Sequence, residues 1–278
     1  MVHIFNYPNP AASGSTGQHE NWVMDNFSRD PFANVAMINT AENIAAEYQI
    51  STDEQHEVAL LRAQQYASAC DPDFHARYMP LPFAVPDARF RHTAQELHCD
   101  EGIHPTSAEA LAALQPLIKG GTVTFGGQTH PADGNTGALV ASRERVGEFS
   151  SKREIGIRIL GIGQARTNIA HMPKAPVPAA ARALAQAGIS MEAVSAVTTH
   201  NPFAVNDLVF ARETGFPLDR MNRFGCSLIW GHPQGPTGLR AIIEFIETLV
   251  MEGGGIGLFT DCAAGDMAMA VVLSVDDF

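Results

Sequence analysis

From about residue 153 onward the chain alternates short apolar runs with amphipathic stretches, and few folds accept that rhythm. Ile155-Gly156-Ile157-Arg158-Ile159-Leu160-Gly161 reads as a strand, and so does the buried run Val194-Ser195-Ala196-Val197-Thr198-Thr199. Residues 255–260 and 267–273 read as a pair of central strands. Between these runs lie an Ala-rich helix over 177–187 and an amphipathic helix over 239–251, which turns Ile242, Ile243, Phe245, Ile246 and Val250 inward. Strands interleaved with helices in this way imply an α/β layered domain.

The first 120 residues have another character. Thr40 precedes a short amphipathic segment over 41–48. Ser51-Thr52-Asp53-Glu54 is a capping box opening a longer helix through Val58, Leu61, Ala63, Ala67 and Ala69. Pro80, Pro82 and Pro86 impose extended or looped backbone. Thr106-Ser107-Ala108-Glu109 opens another capped helix, with Leu111, Leu114 and Leu117 on one face. Residues 6–17 are turn-rich and aperiodic, an irregular loop. Thr122-Val123-Thr124-Phe125 is a short strand candidate ended by Gly126-Gly127, and 134–141 is a further apolar run. A mostly helical cap appended to the layered domain is the expected organisation.

Composition removes several function classes. The chain has 278 residues, enough for one large or two medium domains. Mean hydropathy of −0.04 and the lack of an apolar run of membrane-spanning length point away from a membrane protein. A net charge of −12 argues against non-specific nucleic-acid binding. The densest basic stretch, Arg89-Phe90-Arg91-His92, reads more plainly as a solvated loop than as an anion site. The N-terminus lacks the basic start and long apolar run of a signal peptide, so a cytoplasmic location is the default. Cys70, Cys99, Cys226 and Cys262 have no zinc-ligand spacing and no CxxC pairing, so no metal is expected. Gly161-Ile162-Gly163 follows a strand, but Arg166 stands where a dinucleotide loop needs its third glycine. No Walker loop or nucleophile-elbow serine is present.

Three small-residue turns carry the chemistry. His200-Asn201-Pro202-Phe203 ends an apolar strand. Gly231-His232-Pro233-Gln234-Gly235 lies at the end of a strand or the start of a helix, whose positive dipole end favours developing negative charge. Cys262, before Ala263-Ala264-Gly265, follows another β-type run. Taken singly, each has a plain structural reading: a capping or core histidine, a buried cysteine at a strand end, a packed Phe203. Together an imidazole and a thiol in turns can form an acid–base pair that a substrate reaches along the backbone.

The order and spacing of these turns resemble the signature loops of the thiolase family, an NEAF- or HEAF-type tetrapeptide, a GHPxG motif and a CxG motif. Further likenesses are Thr40-Ala41-Glu42-Asn43-Ile44-Ala45 to the family's TAENVA segment and Asp100-Glu101 with 111–116 to its DE…LxxLxP. Thr122-Val123-Thr124, Gly126 and Asp133-Gly134 are similar to its TVTAGNASxxxDG loop. The likeness runs from about Ala36 to Leu273.

The resemblance implies a thiolase-like αβαβα layered fold lacking the first half of the N-terminal core domain. Residues 1–131 would be a loop domain covering coenzyme A, 132–152 a remaining helix and strand of the first core, and 153–278 a C-terminal core. It implies an acyl-CoA:acetyl-CoA C-acyltransferase, with a coenzyme A thioester as substrate and no permanently bound cofactor. The family's nucleophilic cysteine belongs to the front portion and has no counterpart here, so the isolated chain is expected to be inactive. His232 would activate that cysteine and donate to the oxyanion, Cys262 would move the Cα proton, and His200 would hold the thioester oxygen directly or through water. Thr129 falls where a serine meets the pantetheine arm, and Met172 where an apolar residue lines the acyl pocket. Phe203 and the oxyanion-loop Ala264, which replaces a glycine, would complete the contacts with the thioester. His104 stands where an arginine often meets coenzyme A. Asn201, Pro202 and Cys226 also depart from the pattern, implying a divergent branch with altered acyl specificity. Rival readings are a subunit of a split thiolase, completed by a second chain, and a non-catalytic acyl-CoA-binding or scaffold module with an OB-fold partner. A reading frame truncated at an internal Met is a third.

Overall fold

Two strands, β1 (His3–Asn6) and β2 (Gln18–Asn21), pair antiparallel ahead of helices α1 (Trp22–Ser28), α2 (Met37–Tyr48) and α3 (Thr52–Cys70). The structure, a computed structural model, describes residues 3–6, 18–70, 74–150 and 154–277. Most of the turn-rich stretch over 6–17 and the expected domain boundary near 152 therefore lie outside the described residues.

The capping box forms as the sequence predicts. The Ser51 backbone N–H donates to the Glu54 carboxylate at 2.9 Å, and the Glu54 N–H donates to the Ser51 hydroxyl at 3.2 Å. α2 starts earlier than expected, at Met37, because Thr40 does not cap it. The Thr40 hydroxyl donates instead to the Met37 carbonyl at 2.6 Å, inside the helix. α2 ends where Gln49 turns left-handed (φ 54°), and it buries Met37, Ala41, Ile44 and Ala45.

Beyond α3 the three prolines give a hairpin of β3 (Phe83–Pro86) and β4 (Thr93–Leu97). Helix α4 (Ala108–Ala112) is capped by the Ser107 hydroxyl, which accepts from the Ala110 N–H at 3.1 Å. It stops before Leu114 and Leu117, since Pro116 disfavours helical backbone at the residue before it. Residues 122–125 do not form the expected strand. The Glu42 carboxylate accepts from the N–H groups of Thr122 and Val123 at 2.9–3.0 Å, so a side chain holds the donors a sheet would use. Residues 134–141 pair with no strand among the described residues, and only the short helix α5 (Val146–Phe149) follows. No strand forms among residues 132–150, the described part of the range where one was expected.

The second half follows the predicted alternation. In chain order it contains β5 (Ile155–Arg166), α6 (Pro176–Ala187), β6 (Ala196–Thr199), α7 (Ala204–Thr214), α8 (Ser227–Trp230), α9 (Gly235–Met251), β7 (Gly255–Ala263) and β8 (Met267–Asp277). The sheet order is β5-β8-β7-β6, with β6 parallel to β7 and the other pairs antiparallel. α6 lies directly on one face. A Cβ at Gly163 would come within 2.0 Å of the Ala179 carbonyl oxygen, so Gly161-Ile162-Gly163 serves helix-to-strand contact, not phosphate. α9 covers the opposite face over β6 and β7, where Phe245 fills the space above Gly257. Over β5 and β8 on that same face no helix lies among the described residues. Ile157, Ile159, Ile162 and Met269 are 45–53% exposed there. With Leu139, Phe149, Ile242 and Ile246 nearby, much of this face borders a groove of about 930 Å³.

The two halves share one core, in which Ile44 and Val58 from the first half join Val205, Val209 and Val272 from the second. A buried ion pair crosses it. Arg62 of α3 meets Asp207 of α7 at 2.9 Å, and both side chains are fully buried. Asp207 also accepts from the Thr199 hydroxyl and the side-chain amides of Asn201 and Asn222. Arg62→Met should destabilise the protein by about 3–5 kcal/mol in urea titrations, because it strands a buried carboxylate. The double variant with Asp207→Leu should recover little, since three further donors lose their acceptor. Full recovery would mean that the ion pair acts alone.

Candidate active site

Parallel pairing of β6 and β7 aligns Thr199 with Thr260, so the carboxyl ends of both strands open at one place. His200 leaves β6 with its N–H donating to the Thr260 carbonyl at 3.0 Å. Its Nδ1 lies 2.8 Å from the Ser227 hydroxyl. Asn201, fully buried, follows, and Phe203 starts α7 with its N–H donating to the Asn206 side chain at 3.3 Å.

His232 comes from the turn between α8 and α9. The preceding apolar run Leu228-Ile229-Trp230 is helical, so the helix-start alternative holds and the strand-end one does not. Gly231 has φ 87°, and a Cβ there would stand 2.7 Å from Ala132 and 3.0 Å from His130, which only glycine avoids. Gln234 adopts φ 63° and ψ −111°, a sparsely populated conformation for a residue with a side chain. The His232 N–H donates to the His130 carbonyl at 2.8 Å, and its Nδ1 lies 2.7 Å from the Thr237 hydroxyl. The His232 and His200 rings stack, with centroids 4.1 Å apart and planes 19° apart.

Cys262 is the penultimate residue of β7. Its Sγ accepts from the Asn206 side-chain amide at 3.3 Å, from the first turn of α7. The thiol makes no direct hydrogen bond to either imidazole among the described residues. Asp261 points to the other side of the strand. Its Oδ2 would stand 3.2 Å from a Cβ on Gly238, in the first turn of α9, and its Oδ1 is buried with no hydrogen-bond partner.

Desolvation sets the charge state of the site. Burial pushes His232 down to about 4, and burial together with His232 pushes His200 well below the usual histidine range. Burial, assisted by Asp261, raises the Cys262 thiol far above a free cysteine. Burial also lifts Asp261 to about 7, against a hydrogen bond from the Cys262 backbone. At neutral pH both rings and the thiol are uncharged, so the site can hand protons on without storing a charge.

The other sequence-predicted residues fall at varied depths. Thr129 lies beside both histidine turns: its N–H donates to the Pro202 carbonyl at 2.8 Å and its hydroxyl to the Ser227 carbonyl at 2.5 Å. Phe203 and Met172 are buried in the shared core. Ala264 is exposed in the turn between β7 and β8. His104 is exposed, with its ring 5.8 Å from that of His130. Sequence reasoning gave no role to His130, Asn206, Ser227 and Asp261. A His130-Pro131 dipeptide, a serine four residues before Gly231 and an acid beside Cys262 are visible only as residue types. Their partners are 27 to 102 residues away. The described residues hold no metal-binding group of three or more His, Cys, Asp or Glu.

The profile for the thiolase C-terminal domain matches residues 153–275, and that for the thiolase N-terminal domain matches residues 6–144. The chain belongs to the thiolase family. It is 32% identical over 236 residues to acetyl-CoA acetyltransferase of Chromobacterium violaceum, a match covering 84% of this chain and 59% of that protein. It is 29% identical to human mitochondrial 3-ketoacyl-CoA thiolase, covering 88% of this chain and 60% of the relative. The crystal structure of the human enzyme superposes with a TM-score of 0.81 at 27% identity, over 95% of this chain and 66% of that one. Its complex with CoA gives a TM-score of 0.80. The family and the α/β layered fold implied by the three turns are therefore established, and the chain spans about three fifths of the length of these curated relatives.

The neutral rings predict an acid limb in stability. His75, buried among Tyr66, Phe74 and Tyr78 with neither ring nitrogen bonded, is also pushed down to about 4 by burial. In the unfolded chain histidines titrate near 6.5, so below that pH the unfolded state takes up protons that the folded state refuses. Stability is lost as pH falls from about 6.5 toward 4, by about 1 kcal/mol per ring per pH unit. Urea titrations at pH 7.5, 6.0 and 5.0 should show this loss, and His75→Phe should make it shallower. An unchanged slope in that variant would show that His75 does not resist protonation.

Proposed function

We propose that this chain carries the acid–base machinery of a thiolase-type acyl-CoA:acetyl-CoA C-acyltransferase. The observation that carries the proposal is the stacked His200–His232 pair at 4.1 Å, set at the carboxyl end of β6 beside the strand that holds Cys262. In this reading a coenzyme A thioester binds over the turns. A cysteine from the part of the relatives that this chain does not span attacks its carbonyl. His232, neutral and depressed in basicity, takes the thiol proton and returns it when the acyl group leaves. Cys262 donates or removes the proton at the substrate Cα. Its raised pKa keeps it protonated as the acid and makes its thiolate a strong base once formed. His200 supports the thioester oxygen. The positive end of α9, seventeen residues long, faces the turn where that negative charge develops.

The proposal takes residues 1–131 as the cap over coenzyme A, 132–152 as a remnant of the first core domain and 153–278 as the second core. Thr129 and His104 lie on the cap side of the site as pantetheine or nucleotide contacts, and Ala264 offers its N–H to the oxyanion. Met172 and Phe203 would shape the acyl end from within the core, which ties acyl specificity to packing. A cytoplasmic location belongs to this reading, supported by the free thiols Cys99, Cys226 and Cys262.

One observation favours the second reading, a subunit completed by another polypeptide segment. Half of the α9 face of the sheet exposes isoleucines beside a groove of about 930 Å³. A further layer of helix and strand would bury them. A scaffold module, with or without an OB-fold partner, would need no intact histidine pair.

Three measurements separate these readings. The purified 278-residue chain should not cleave acetoacetyl-CoA. Co-expression with the N-terminal third of the Chromobacterium violaceum relative should yield thiolysis, and His232→Ala in that complex should lower the rate by about 10²–10⁴. Turnover by the chain alone would refute the missing nucleophile. Turnover indifferent to His232→Ala would refute the catalytic assignment.

A further inference from the structure

Two neutral imidazoles carry one N–H each, so the site's chemistry depends on which nitrogen of His200 holds the proton. The surrounding hydrogen bonds decide it. The Asn201 side-chain amide nitrogen donates to Asp207 at 2.7 Å and to the Cys226 sulfur at 3.1 Å. Those two acceptors fix the amide's orientation, so Asn201 Oδ1 must point the other way. There it accepts from the Leu228 N–H at 3.2 Å and meets the Ser227 hydroxyl at 3.1 Å.

Ser227 is fully buried and has one proton to place. Its oxygen accepts from the Asn201 N–H at 3.2 Å, faces Asn201 Oδ1 at 3.1 Å and lies 2.8 Å from His200 Nδ1. If Ser227 donated to the ring, its oxygen and Asn201 Oδ1 would confront each other with lone pairs alone. If it donates to Asn201 Oδ1, every contact is a hydrogen bond, provided the ring supplies the proton to Ser227. His232 is held less tightly. Thr237, its Nδ1 partner, makes no other side-chain hydrogen bond among the described residues, so that hydroxyl can rotate as the ring gains or loses a proton.

We infer that Ser227 is a positioning residue that locks His200 as the Nδ1–H tautomer and leaves Nε2 as a bare acceptor in the site. The inference rests on the reading of His200 as part of a thioester site and narrows it. A ring with a bare Nε2 cannot donate to a thioester oxygen directly, so it acts by accepting from a bridging group such as water. His200 and His232 then have unlike duties: a fixed acceptor beside a ring free to exchange its proton.

The test needs no turnover. Long-range proton–nitrogen correlation spectra of the full chain labelled with ¹⁵N-histidine report each ring's tautomer, and the His200 signals are assigned by their loss in His200→Asn. Wild-type protein at pH 7.5 should show Nδ1 protonated and Nε2 bare at His200. Ser227→Ala should shift the ring toward the Nε2–H form. Asn201→Ala frees the serine proton to turn to the ring and should do the same with the hydroxyl still present. A wild-type Nε2–H ring would overturn the inference, as would a tautomer indifferent to Ser227→Ala in folded protein. The wild-type spectrum decides even if a variant fails to fold. An Nδ1–H ring in a reconstituted complex that performs no acyl transfer would uphold the inference while sinking the acyltransferase reading.

Discussion

The Asp207 carboxylate is the constraint on which the site rests. Fully buried in α7, it balances the equally buried guanidinium of Arg62 and still accepts from Thr199, Asn201 and Asn222. Each donor belongs to a different part of the site. Thr199 ends β6, Asn201 sits beside His200, and Asn222 reaches back to the Thr199 N–H at 2.8 Å. One desolvated charge therefore fixes the exit angle of the histidine strand, and α3 of the first half fixes the charge. A buried pair of this kind adds little net stability, but its geometry is exacting. The first and second halves of the chain are joined through the same group that orients the histidine strand.

A second link runs along α9. Arg240 grips Asp100 with both terminal nitrogens at 2.6 and 2.7 Å, pairs with Glu244 and lies over the Trp230 ring at 4.1 Å. That holds the first turns of α9, and with them His232, against the first half of the chain. Between the two anchors the site itself is almost uncharged. Burial suppresses the histidines and the thiol alike, while Asp261, its neighbour in sequence, faces the opposite side of the strand. Strand alternation turns the Asp261 carboxyl, lifted by burial to about 7, away from the Cys262 face, yet it stays near enough to help raise the thiol.

What could be read from the sequence follows the range of the forces involved. The alternation after residue 153, the capping box at Ser51 and the cap at Ser107 are short-range patterns, and the structure repeats them. The three turns were legible because small residues and strand ends are local. The strand expected over 122–125 failed because Glu42, eighty residues upstream, takes its backbone donors. Leu114 and Leu117 left their helix because a local rule at Pro116 outweighed periodicity. Ser227 and Asn206 escaped notice for a related reason. A hydroxyl or amide beside a histidine gains meaning only from the tertiary distance that brings it there.

The uncovered half of the sheet bears on why the histidine pair sits where it does. α6 closes one face through bare glycines, and α9 closes the β6–β7 half of the other, so the site forms where both faces are packed. The β5–β8 half keeps Ile157, Ile159 and Ile162 in the open. An apolar surface of that kind costs solubility unless something covers it. About two fifths of the length of these relatives lies outside the part this chain matches. The groove is bordered by Leu239, Ile242, Ile243 and Ile246 of α9, whose first turn carries Thr237 beside His232. Burial is what holds both rings neutral. α9 therefore both closes the packed half of the sheet and carries the hydroxyl that meets His232, so a single helix couples the packing of the sheet to the placing of the histidine pair.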